Sequence, residues 1–229
     1  MCRMLGIVAA NAVTPRELLR DAPRSLRALS EVHKDGWGVA LRTHDDWIVH
    51  RSTACAAHCA EYGGLVDKVE TQLLIAHVRQ RTVGEISIAN THPFRRGQFV
   101  FAHNGTVRDV LCLVSRSSGA RLAEIEGATD SERLFAFVLT HVDEAGDVER
   151  GAIAATRALH ALGDVGSASF LFSGGKRLFA HRLGRTLYTL ARPNATVVAS
   201  ERLTDEAWVE IPEGGLVEIA ADRAHALAA

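Results

Sequence analysis

The chain has 229 residues, 47% hydrophobic and 23% charged, the composition of a soluble globular protein able to bury a sizeable core. Its 26 Lys and Arg offset 27 Asp and Glu to a formal charge of −1, so neither nucleic acid nor an anionic membrane is an expected partner. No apolar run approaches the roughly 18 residues of a membrane helix, and the cytoplasm is the expected compartment.

The opening segment MCRMLGIVAAN breaks at Asn11 with no cleavage site after it. It reads as a buried strand over residues 3–10, not as a signal peptide. A helical stretch over Glu17–Leu29 is interrupted by Pro23, and strands are expected at Trp37–Arg42 and Trp47–Arg51, split by the turn Thr43–Asp46. Ala56–Glu70 reads as a helix weakened by Gly63-Gly64, and Gln72–Arg79 and Gln98–His103 read as buried strands.

The middle of the chain turns helical. Thr129-Asp130-Ser131-Glu132 has the form of a capping box, with Thr129 as N-cap and Glu132 reaching back, and apolar residues follow at helical spacing. Val148–Leu162 is a second helix with a Gly163 stop. Strands are expected at Phe170–Phe172, Arg177–His181, Thr186–Leu190, Thr196–Ser200 and Leu216–Ile219, with hairpin turns at Gly174-Gly175 and Gly214-Gly215. Strands at both ends around a helical middle, with no linker, suit two packed sheets covered by helices in one domain over residues 1–229.

Several residues carry chemistry, each with a bland alternative. Removal of Met1 would leave Cys2 with a free α-amine, which titrates near ~7.7–8.0 and can act as local base for a thiol near ~8.5. Alone, Cys2 is equally a small hydrophobe opening a strand. Asn104 and Gly105 in His103-Asn104-Gly105 offer two hydrogen-bond donors from one tight turn, as an oxyanion needs, yet Asn-Gly is also a common hairpin turn. Arg79 could grip a carboxylate, with Thr82 adding a hydroxyl, or be a surface arginine at a strand end. Asp130 could hold an ammonium group, although a carboxylate suits the first turn of any helix. Four cysteines at positions 2, 55, 59 and 112 suggest no disulfide framework, and Cys55, His58 and Cys59 do not share a face as metal ligands would. No metal or organic cofactor is expected.

Taken in order, these segments resemble the class II glutamine amidotransferases of the N-terminal nucleophile hydrolase superfamily. The matching elements are Met1-Cys2, Asp35-Gly36-Trp37-Gly38, Arg79-x-x-Thr82-x-Gly84, Asn90-Thr91-His92-Pro93, His103-Asn104-Gly105 and Thr129-Asp130-Ser131-Glu132. The resemblance implies an α+β, four-layer αββα sandwich. It implies Cys2 as nucleophile, Asn104 and Gly105 as oxyanion hole, Arg79 and Thr82 on the α-carboxylate of glutamine and Asp130 on its α-ammonium. It points to small stand-alone members, some of which cleave γ-glutamyl bonds in thiol metabolism. Val83 stands where many larger members have a histidine, and His33-Lys34 departs from their usual segment. The expected activity is hydrolysis of a γ-glutamyl amide, of glutamine or of a larger γ-glutamyl compound. An ammonia-supplying version would need a separate synthase partner, since the chain has no spare length for a synthase domain. A silent binding module of the same fold is the remaining alternative.

Overall fold

A computed structural model describes residues 2–44 and 46–228; Met1 and Asp45, on which the Met1 processing step and part of the Thr43–Asp46 turn fall, lie outside them. The first half forms strands β1 (Arg3–Val13), β2 (Trp37–Arg42), β3 (Trp47–Ser52), β4 (Thr71–Val78), β5 (Phe94–Arg96) and β6 (Phe99–Val107). Helices α1 (Leu26–Leu29) and α2 (Ala60–Val66) interrupt them. The middle supplies α3 (Val110–Val114), α4 (Gly119–Ala123), α5 (Asp130–Ala145) and α6 (Val148–Ala161). The last third is β7 (Gly166–Ser173), β8 (Leu178–His181), β9 (Tyr188–Arg192), β10 (Ala195–Ala199), β11 (Val209–Glu210), β12 (Leu216–Ile219) and β13 (Ala224–Leu227).

Two antiparallel sheets result, in the orders β11-β9-β10-β1-β4-β2-β3 and β13-β12-β8-β7-β6-β5. Three apolar clusters explain the layering. Met4, Ile75, Ala102, Leu171 and Val198 fill the space between the sheets. Leu5, Leu74 and Val197 face the other way, onto Leu18, Leu26 and Tyr62 from the first helical layer. Phe101, Phe170 and Phe172 pack on Phe135, Val138 and Leu159 of α5 and α6. Alternate residues of one strand thus serve different cores, as the two-residue period of a strand requires. This is the α+β, four-layer αββα sandwich that the resemblance implies.

The differences from the expected elements have local causes. The stretch over 17–29 splits into a helical turn, Glu17–Asp21, and α1, with Pro23 between them. The helix expected over Ala56–Glu70 shrinks to a short turn at Ala56–His58 and the seven residues of α2. Cys55 turns its thiol to the Ser30 carbonyl while His58 meets Glu31, so that cluster has structural partners. Gly214-Gly215 is no hairpin: it carries the chain from β11 in one sheet to β12 in the other.

Thr129 does cap α5, its Oγ accepting the Glu132 N–H, but Glu132 does not reach back to Thr129. Its carboxylate accepts the N–H groups of Glu126 (3.1 Å) and Gly127 (2.6 Å) and an Arg96 Nη (2.7 Å).

Candidate active site

Cys2 precedes β1, and β4 lies beside it, so Cys2 is delivered next to the residues that follow β4. Its Sγ sits 3.4 Å from the Gln80 N–H that donates to it, and equally 3.4 Å from the Gln80 carbonyl. Burial pushes the thiol up from its ordinary value; the Gln80 N–H and the Arg79 charge act in the opposite direction, and Asp130 adds to the rise. The thiol therefore needs a base.

Arg79 is 3% exposed. One Nη donates to the Glu85 carbonyl (3.0 Å) and the other to that of Val83 (3.1 Å), wrapping the 79–93 loop around the guanidinium. Among the described residues no carboxylate pairs with it, and burial pulls its value down from normal. Val83 thus meets Arg79 through its backbone carbonyl, not its side chain. Thr82 lies on the same loop but is exposed and makes no hydrogen bond among the described residues.

Asn104 and Gly105 are not a turn. β6 runs on through Val107, pairing Asn104 with Ser169 and Gly105 with Ala168. A side chain at Gly105 would stand 2.0 Å from the Ser167 carbonyl oxygen, so the close approach of β7 demands glycine. Thr106 and Arg108 turn their N–H groups toward β7, onto Ser167 Oγ and the Val165 carbonyl. By strand alternation, Gly105 and Val107 turn theirs to the opposite edge, which β5 leaves uncovered beyond Phe101. Asp130 Oδ2 takes the Val107 N–H at 2.7 Å. The Gly105 N–H two residues earlier points along that same edge.

Asn104 is 4% exposed and lines a cleft; its Oδ1 is buried without a partner, and no described group accepts from its amide. Cys2, Arg79, Asn104, Gly105 and Asp130 therefore converge at one end of the paired sheets. Thr82 stands at the rim.

Other residues hold this constellation in place, and spacing alone did not reveal their roles. The Asp35 N–H donates to the Arg79 carbonyl, and Asp35 Oδ2 accepts the Arg81 N–H (2.7 Å). Gly38 is needed because a Cβ there would lie 2.2 Å from the His92 carbonyl oxygen. Asn90 bridges loops, donating to Glu85 O and accepting from Ala128 N. His103 meets Ser131 Oγ at 2.8 Å and the Ser167 carbonyl at 3.1 Å. His77 lies against His92, ring centroids 4.4 Å apart and ring planes tilted by 44°. Burial depresses all three histidines, His77 to about 3, so they are neutral structural groups at pH 7. His33 is likewise buried and pushed down to about 4.

The arrangement brings together an N-terminal-strand thiol, a buried cation and a buried anion without ionic partners among the described residues, and amide donors on an open strand edge. The family model for class II glutamine amidotransferases matches residues 1–196, and the chain belongs to that family. It is 30% identical over 235 residues to the γ-glutamyl-hercynylcysteine sulfoxide hydrolase of Mycobacterium tuberculosis (strain CDC 1551 / Oshkosh), covering 96% of this chain and 93% of that one. A protein described as a glutamine aminotransferase class-II domain protein, from Silicibacter pomeroyi, superposes with a TM-score of 0.74 at 21% identity, over 99% of this chain and 98% of that one. The glutamine phosphoribosylpyrophosphate amidotransferase of B. subtilis gives 0.73 at 19%, over 99% of this chain and 49% of that larger one. No helix among the described residues is long and apolar enough to cross a membrane.

Proposed function

We propose that the chain is a single-domain γ-glutamyl amidohydrolase working through Cys2. One observation carries the reading: the Cys2 sulfur lies beside a buried Arg79 that lacks a carboxylate partner among the described residues, with the Asn104–Gly105 edge open to the same site. A buried, unpaired guanidinium is costly and calls for an anionic ligand.

Removal of Met1 frees the Cys2 α-amine, which takes the thiol proton. The thiolate attacks the γ-carbonyl, and Asn104 Nδ2 and the Gly105 N–H receive the oxyanion. The C–N bond breaks, the amine leaves with the proton from the α-ammonium, and a γ-glutamyl thioester remains. Water, deprotonated by the same amine, releases glutamate and restores the thiol. Arg79, with Thr82 at the rim, holds the α-carboxylate, and Asp130 the α-ammonium. No cofactor enters the sequence.

The substrate is a small molecule, and leaving groups larger than ammonia are accommodated. A synthase partner is required only if ammonia is the product delivered. Intact mass of active protein should show Met1 absent, and a glutamine-like diazoketone should label Cys2 while sparing Cys55, Cys59 and Cys112. Full activity in protein proven to retain Met1 overturns the mechanism.

A further inference from the structure

A cleft of about 550 Å³ opens beyond Asn104. Its lining holds Asn104 and Arg3, the neighbour of Cys2, but not Cys2, Arg79 or Asp130, so it adjoins the site at Asn104 without the two glutamyl charges and offers room for a departing amine. A molecule the size of water or ammonia needs only about 30 Å³. The walls come from the last third of the chain, with Arg3 and Arg24 reaching in from the first.

The charges on these walls are not equivalent. Arg3 is paired with Glu201, and Arg24 with Asp205. Glu206 is engaged by Arg192. Arg202 lies over the Tyr188 ring, its guanidinium carbon 5.0 Å from the centroid. That leaves Arg185, which among the described residues has neither a carboxylate nor a ring, and whose Nε is buried without a hydrogen-bond partner.

Its placement is also fixed. Ser169, directly across the strand pair from Asn104, donates its hydroxyl to the Arg185 carbonyl at 2.9 Å. Gly184 turns the chain at φ +73°, with Ser167 too close for a side chain there. The Arg185 backbone is thereby held beside the strand pair that carries Asn104, its side chain lines the same cleft as Asn104, and its charge is felt at His103.

We propose that this cleft is the leaving-group subsite and that Arg185 receives a free carboxylate on the departing amine, making the substrate a γ-glutamyl amide of an α-amino acid. A carboxylate on the carbon bearing the leaving nitrogen is only two bonds from that nitrogen. It would reach the part of the cleft adjoining Asn104 and take the bidentate grip a guanidinium offers. Tyr188 and Arg202, with the paired residues around them, border the remainder of the amino acid. The proposal rests on the γ-glutamyl amidohydrolase reading above.

The test compares kcat/KM for γ-glutamyl-alanine with that for γ-glutamyl-ethylamide, which lacks only the carboxylate. Wild-type protein should favour the carboxylate by about 10- to 100-fold, the worth of a charged hydrogen-bonded contact. Arg185→Gln should collapse the ratio to near unity, and Arg185→Lys should restore part of it. A wild-type ratio near one, or a ratio that survives Arg185→Gln, overturns the proposal. Calorimetric binding of both compounds to Cys2→Ala protein gives the same comparison without turnover. If no γ-glutamyl compound, glutamine included, is cleaved while that binding preference persists and depends on Arg185, the catalytic reading fails and the subsite stands. Absence of the preference in binding sinks the subsite alone.

Discussion

On one side of Asn104 lie Arg79 and Asp130, no more than 5% exposed, each tied to backbone groups of the motif loops. On the other side, arginines and acids from residues 185–206 border an open cleft, its acids paired by Arg3, Arg24 and Arg192. The first side is preorganised: its charges are desolvated before any ligand arrives, so a wrong head group leaves them unpaired at full cost. The second is wet and adjustable, where exposed pairs are worth about 0–1 kcal/mol each. Stringency should therefore belong to the glutamyl half, and tolerance to the amine half everywhere except at the carboxylate proposed to meet Arg185.

The largest effect that could break this contrast is at the nucleophile between the two halves. Cys2→Ala should lower kcat by on the order of 10⁶, as loss of a nucleophile does in comparable enzymes, with the fold intact by circular dichroism. Residual turnover near wild type would place the chemistry elsewhere. Asn104→Ala should cost roughly 10²–10³ in kcat with little change in KM; a change confined to KM would make Asn104 a binding residue.

On the glutamyl side, Asp130→Asn keeps an acceptor for the Val107 N–H but removes the charge. It should raise KM by about 10- to 100-fold, and N-acetylated glutamine should be discriminated less by this variant than by wild type. A variant that still rejects the acetylated analogue as strongly would show that Asp130 does not read the ammonium.

A slower change follows from the histidines. The values for His33, His77 and His181 are depressed by burial to about 4, 3 and 3. The unfolded chain takes up their protons first, near pH 6.5, so the stability they contribute is present above that pH. It is lost as pH falls toward 3–4, at up to about 1.4 kcal/mol per pH unit for each group. Denaturant midpoints measured between pH 7 and 4 should fall steadily; a flat profile would mean these groups become charged inside the fold. Least of all, Glu206→Gln on the cleft wall should shift stability by under about 1 kcal/mol and leave discrimination at the glutamyl half untouched.

The same contrast governs what the sequence disclosed. The proposed glutamyl side left marks in the sequence because close packing confines residue types over short spacings: Gly105 where β7 comes too close for a side chain, Gly38 against the His92 carbonyl, Arg79 at the end of its strand. What misled was local: Asn-Gly reads as a turn until the strand pairing with β7 is seen to continue through it. The amine side had no such signal. Arg24 meets Asp205 across 181 positions and Arg3 meets Glu201 across 198, and singly each looks like solvated surface. Short elements escaped for similar reasons: β11 has two residues, β13 four, and α3 and α4 five each, too few for a hydrophobic period to register.

Met4, two residues past the proposed nucleophile, exchanges two hydrogen bonds with Ser200: the Met4 N–H donates to Ser200 Oγ and the Ser200 N–H to the Met4 carbonyl, both at 3.0 Å. That knot is a seam along which the protein can be recut. Residues 202–206 should accept a loop of another shape while Ser200 keeps the register of β1 and Glu201 keeps Arg3, which also bonds the Cys2 carbonyl, so new amines become accessible without disturbing the thiol. A graft begun further upstream, inside β10, would unpick the seam and carry the nucleophile out of line with it.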